Sequence, residues 1–244
     1  MVAPSAAETG ISAWTEFDDE RMHYVKQGSG PPLLLLHGLL GGSFCWRYNV
    51  PELARCRTTY AMDLHGLGLS EALGNADCSM QAQAKRVRVF IESKALENVD
   101  VIASSWGGAV ALLLAADSPA VRSLVLAAPV NPWSEFGRGR VRFCGSTLGS
   151  LLVRCLLPIS RRFHHIGIER MYGDPARIRP GTLEGYSALL ERRGRARSLI
   201  SILRAWEHDP GSGTRSHFAC ANSYAADLGI EGWRRRSLFR RVPP

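Results

Sequence analysis

Apolar positions along the chain recur in two rhythms, and their alternation predicts the fold. Ile11–Phe17 and Arg21–Gln27 flank Asp18-Asp19, a turn signal, and read as an opening hairpin. Gly28-Ser29-Gly30-Pro31 is a loop, and Pro32 leads into Leu33-Leu34-Leu35-Leu36, a continuous apolar run suited to a strand buried on both faces. Phe44 to Cys56 has apolar residues at helical spacing, with Pro51 opening or breaking the helix. Thr58–Met62 predicts a second buried strand. Gln81–Leu96 predicts an amphipathic helix, with Val87, Phe90 and Ile91 inward and Lys85, Arg86 and Arg88 outward. A third strand starts at Val99, breaks at small residues near Ser104-Ser105, and gives way to a helix-forming run, Ala109–Ala115. A further strand, Ser123–Ala127, follows. Strands alternating with helices imply an α/β fold: a mostly parallel sheet with helices on both faces.

Beyond Pro129 the rhythm changes. Leu148–Leu157, Leu183–Arg192 and Ser198–His208 read as helices, with no clear strand among them. The expected organisation is a core over 11–130, an inserted helical cap over 131–209, and an irregular basic tail over 210–244, where hydrophobic periodicity is lost.

Charge and cysteine content narrow the class. The formal net charge is +8, nearly all of it from arginine, and the arginines gather at 161–162, 192–197 and 234–241 without interleaved aromatics. That pattern fits a composition bias better than a nucleic-acid surface, so no nucleic-acid partner is expected. No apolar run reaches the ~18 residues of a membrane span, and the N-terminus lacks the features of a secretory signal. No membrane partner is expected. The 6 cysteines include no C-x-x-C pair and sit mostly among apolar neighbours, which fits reduced, buried thiols in a cytoplasmic protein, with no metal or cofactor.

The chemistry concentrates where the third strand breaks. A serine on a sharp strand-to-helix turn is held above the sheet edge, and the turn tolerates only small residues two positions to either side. Around Ser105 those positions are Ala103 and Gly107; around Ser104 they would be Ile102 and Trp106. Ser105 is therefore the candidate nucleophile. The alternative for this stretch is a buried helix N-cap.

Three motifs in order, His37-Gly38, Asp63-x-x-Gly66-x-Gly68-x-Ser70 and Ala103-x-Ser105-x-Gly107-Gly108, resemble the α/β-hydrolase superfamily of the esterase and C–C hydrolase type, over about Ile11 to Asp209. The resemblance implies that Ser105 attacks a carbonyl carbon and forms an acyl-enzyme, with the oxyanion held by the backbone N–H groups of Leu39 and Trp106. It implies a small apolar carbonyl substrate: an ester, thioester, amide or C–C bonded diketone. His37 would pack the oxyanion loop, Asp63 and Ser70 would fix a loop, and His65 stands where many relatives carry proline. A serine at the elbow argues against the relatives that use aspartate there, such as haloalkane dehalogenases and epoxide hydrolases.

The family order is serine, acid, histidine, and no strand ending in a suitable acid follows Asp209. The C-terminal strands are therefore expected to be missing. Glu135 or Asp117 stands as the substitute acid, and His164, His165, His208 or His217 as the base, the first two in an Arg-rich surface turn. The alternative to a working hydrolase is a truncated or inactive family member, a pseudoenzyme or ligand-binding module. Without the final strands, Ser123–Ala127 becomes an exposed hydrophobic edge through which the chain self-associates.

Overall fold

The computed structural model describes residues 10–17, 20–71, 76–130 and 138–208. Strands β1 (Ile11–Phe17), β2 (Glu20–Gln27), β3 (Pro32–Leu36), β4 (Thr58–Met62), β5 (Val99–Ser104) and β6 (Val121–Ala127) form one sheet in the order β1-β2-β4-β3-β5-β6. The hairpin pair β1–β2 and the β2–β4 pair are antiparallel; β4–β3, β3–β5 and β5–β6 are parallel. The fold is the expected α/β arrangement, a sheet of mixed direction with helices against it.

Strand β3 lies at the centre because both its faces are apolar. Alternation sends Leu34 and Leu36 to one face, where they join Met22, Tyr24, Tyr60 and Met62 under α2 (Met80–Ser93) and α3 (Trp106–Asp117). Leu33 and Leu35 go to the other, where they meet Trp46 and Val50, the latter opening the one-turn helix α1 (Val50–Leu53). Pro51 opens that helix and does not break it. Helix α3 is apolar on every side and is buried from Trp106 to Ala115. Ser79 caps α2 by accepting the Ala82 N–H at 3.2 Å.

Along α2, Val87, Phe90 and Ile91 are buried and Lys85 is exposed, as the spacing predicts. Arg86 departs from its predicted outward position: it turns in to grip the Glu20 carboxylate with two nitrogens, at 2.5 and 2.7 Å. A carboxylate on β2 outweighs helical phase.

Residues 138–208 add α4 (Arg138–Gly145), α5 (Thr147–Leu156), α6 (Arg161–Tyr172), α7 (Thr182–Leu190) and α8 (Arg195–His208), with no strand among the described residues of this segment. Helices α4 and α6 were not expected. The segment read as an Arg-rich turn is α6, and His164 within it is buried, with Nε2 2.7 Å from the Leu157 carbonyl oxygen. It is not a surface residue. This helical segment docks on the loops after β3 and β4. Gly185 in α7 leaves room for the Phe44 ring, Tyr186 meets Phe44 edge-on at 5.6 Å, and Arg47 donates to Thr182 Oγ1 at 2.7 Å. Arg195 is buried and donates to the carbonyls of Leu189 and Gly68.

Among the described cysteines all are free, but only Cys78 is buried; Cys56 and Cys155 are exposed. The expectation of buried thiols is corrected for Cys56, which follows α1 at the surface, and for Cys155, on an outer face of α5. Among the described residues no helix is long and apolar enough to cross a membrane. The expected tail over 210–244 lies outside the described residues.

Candidate active site

Ser105 stands between the end of β5 and the start of α3 with φ +50° and ψ −121°, a conformation rarely adopted by a residue with a side chain. Strain of this kind costs about 1–3 kcal/mol and persists only where the surroundings impose it. Here three main-chain hydrogen bonds do so. The Ser105 N–H donates to the Ala127 carbonyl at 3.0 Å, and the Ser105 carbonyl accepts from Gly108 and Val130, each at 3.0 Å. The bend is thus bolted to the end of β6.

The small neighbours fit tight places. Ala103 is fully buried. A Cβ on Gly107 would overlap the His37 carbonyl oxygen and lie 3.0 Å from that of Leu36. One on Gly108 would stand 2.8 Å from Pro129 Cβ. The Gly107-Gly108 pair lies in the first turn of α3, which starts at Trp106. Glycine serves here for close approach to β3. A Cβ on Gly38 would come within 3.1 Å of Ser105 Cβ and 3.5 Å of its Oγ, so the His37-Gly38 turn lies directly beside the serine.

Of the two residues named with Ser105, Trp106 is the first residue of α3, where N–H groups lack intrahelical acceptors. Its ring is buried, with Nε1 unpartnered among the described residues. Leu39 is half-buried, one residue past Gly38. Both sit at the turns that meet at Ser105.

His37 is fully buried, with Nδ1 2.7 Å from the Gly38 carbonyl oxygen and Nε2 accepting the Leu64 N–H at 3.0 Å. The acceptor role of Nε2 places the proton on Nδ1. Burial, with Arg195 adding and Asp63 and the Gly38 carbonyl opposing, pulls its pKa below the usual histidine value. His37 is a neutral brace between the turns after β3 and β4.

Asp63 does the corresponding work with charge. Its carboxylate accepts the Ser43 N–H, the Leu69 N–H at 2.8 Å and His23 Nδ1 at 2.7 Å. Burial opposes ionisation, but His23, His37 and the Ser43 N–H together hold the carboxyl below the ordinary carboxylate range. Ser70 donates to the Asp63 carbonyl and accepts the His23 N–H at 2.9 Å. His65 is buried beside Glu20, Nδ1 lying 3.2 Å from Oε2 but out of hydrogen-bond alignment.

The structure separates some proposed partners from Ser105. Asp117 ends the helix that Trp106 begins, roughly 16 Å further along at 1.5 Å rise per residue, so it is not the acid of this site. His164 bonds to the Leu157 carbonyl, and His165 lies on the same helix, half-buried. Glu135 and His217 lie outside the described residues, as does the side chain of His208. Among the described residues Ser105 Oγ has no hydrogen-bonded base.

Comparison with known proteins now decides the family. Residues 31–143, from the loop before β3 into α4, match the model of the alpha/beta hydrolase fold. The chain belongs to the α/β-hydrolase superfamily. This α/β-hydrolase is 42% identical over 98 residues to the soluble epoxide hydrolase of Corynebacterium sp. (strain C12), a stretch covering 40% of this chain and 34% of that protein. It is 29% identical over 175 residues to the 2-hydroxymuconate semialdehyde hydrolase of Pseudomonas sp. (strain CF600), covering 69% and 62%. The aligned part is thus less than two thirds of either relative's length. Among solved structures, the epoxide hydrolase CorEH superposes with a TM-score of 0.72 at 23% identity, covering 85% of this chain and 77% of that one, and so shares the fold.

Proposed function

We propose that this α/β-hydrolase is a serine hydrolase cleaving a small ester, thioester, amide or C–C bonded ketone through an acyl-enzyme on Ser105. The observation that carries the reading is the strained backbone of Ser105 against the His37-Gly38 turn. The N–H groups of Leu39 and Trp106 are the oxyanion donors. Loss of one such donor raises a barrier by about 3 kcal/mol.

The identity of the nucleophile bears on the reaction. A carboxylate that opens an epoxide forms an ester, and water can release the product at its carbonyl. A serine alkylated in the same way would form an ether with no carbonyl to attack, and turnover would stop. Ser105 therefore supports acyl transfer, the chemistry closer to that in the name of the semialdehyde hydrolase. The helical segment 138–208 acts as the cap that shapes an apolar pocket.

A second reading, a non-catalytic binding module, is favoured by one observation: no histidine among the described residues is hydrogen-bonded to Ser105 Oγ. The full chain treated with a fluorophosphonate and digested with trypsin separates the two. An adduct on peptide 95–122 that disappears in Ser105→Ala establishes an activated serine; folded protein unlabelled there establishes the second reading.

A further inference from the structure

We propose that Ser12, His23 and Asp63 form a second nucleophilic site at the hairpin edge of the sheet, suited to an activated aryl ester. Ser12 Oγ lies 2.7 Å from His23 Nε2, and His23 Nδ1 lies 2.7 Å from Asp63 Oδ2. This hydroxyl–imidazole–carboxylate relay involves neither Ser105 nor its proposed donors. Its parts differ in exposure as a nucleophile and its supports should: Ser12 is exposed, His23 is 2% exposed and Asp63 fully buried.

The proton positions follow from the partners. Asp63 is ionised and only accepts, so His23 carries a proton on Nδ1, and in the neutral imidazole Nε2 accepts from the Ser12 hydroxyl. Register supplies a further donor. The His23 N–H goes to Ser70 Oγ and its carbonyl accepts from the Asp63 N–H, so both point toward β4. Trp14, opposite His23, is therefore in a non-hydrogen-bonded pair, and its N–H points outward. The Ser12 N–H, two residues away, points the same way. Strand β1 is outermost among the described residues, so this donor lies on an open edge beside the nucleophile.

Trp14 indicates the ligand chemistry. It shares a face with Ser12, meets the His23 ring edge-on at 5.2 Å, is 38% exposed, and has the Arg21 guanidinium over its ring at 4.9 Å. A flat aromatic group can lie against it with its ester at Ser12.

In the acylation step His23 Nε2 takes the Ser12 proton as Oγ bonds to the carbonyl carbon. The C–O bond to the phenolate then breaks, and the phenolate takes the proton from Nε2. Water, deprotonated by Nε2, attacks the acyl-serine, releasing the carboxylic acid and restoring Ser12.

The test uses the full chain carrying Ser105→Ala, treated with para-nitrophenyl acetate and, separately, a fluorophosphonate. The expected result is an adduct at Ser12 on peptide 1–21. Adding Ser12→Ala should slow phenolate release by about 100-fold, the scale of general-base assistance. Unfolding in urea should abolish labelling at Ser12. Absence of the Ser12 adduct in folded Ser105→Ala, or a Ser12 adduct that survives unfolding, would overturn the proposal. Ser12→Ala alone leaves any Ser105 adduct intact, so the two readings fail independently.

Discussion

Gly107 lies so close beneath the carbonyl of His37 that one added carbon would overlap its oxygen. The first turn of α3 and the end of β3 are thereby fixed against each other, with Ser105 between them. Gly107→Ala should lower stability by about 1–3 kcal/mol, the cost of overpacking where the obstacle is main chain. Gly167, inside α6 with open space where its Cβ would stand, is the control. Gly167→Ala should raise stability by about 0.5–1 kcal/mol through helix propensity. Urea unfolding followed by circular dichroism measures both, and equal effects would contradict this account of Gly107.

Arg195 joins the helical segment to the loop after β4 through the carbonyls of Leu189 and Gly68. Burial, with Arg192 adding and Asp63 opposing, lowers its pKa to about 10, so it stays charged at neutral pH. Arg195→Met keeps the aliphatic bulk and leaves two carbonyls without their donor. It should cost about 1.5–3 kcal/mol, the range for hydrogen bonds to charged groups. Limited proteolysis should cut within 138–208 faster than in the parent chain.

Two acid-sensitive groups act in separate pH windows. Burial, with Arg86 adding and Glu20 opposing, pushes His65 down to about 4. The unfolded chain takes up this proton near pH 6.5, so stability should fall as pH drops from about 6.5 to 4. Hydrogen bonds from Arg122 hold Asp100 down to about 2 against burial, with Ser123 and Arg57 adding. Its stabilisation is present above about pH 4 and is lost as pH falls toward 2. His65→Gln should lessen the slope in the first window only, where His37 still contributes, and Asp100→Asn in the second only, where Asp63 still contributes, in urea midpoints measured against pH.

Strand β6 borders β5 on one side and has no neighbour on the other among the described residues; Val125 on it is 57% exposed. An unpaired strand edge with apolar side chains is a template for another chain. The protein should self-associate, and Val125→Lys should raise the monomer fraction in light scattering after size exclusion. A parent chain that stays monomeric at high concentration would count against this edge as a contact.

Sequence alone determined the elements whose cause is local or periodic. Leu33–Leu36 could be placed as a central strand because both faces are apolar, and Ser105 could be told from Ser104 because only one has small residues two positions away on each side. Helices α4 and α6 escaped because their arginines and exposed apolar residues blur the helical period. Tertiary structure alone decided that Arg86 turns inward to Glu20, that Asp117 is carried to the far end of its helix, and that His164 is buried. It also brought Ser12, His23 and Asp63 into one line from two strands and the loop after β4. Pairing register and helix direction set such meetings, and neither is written in any one segment of the chain.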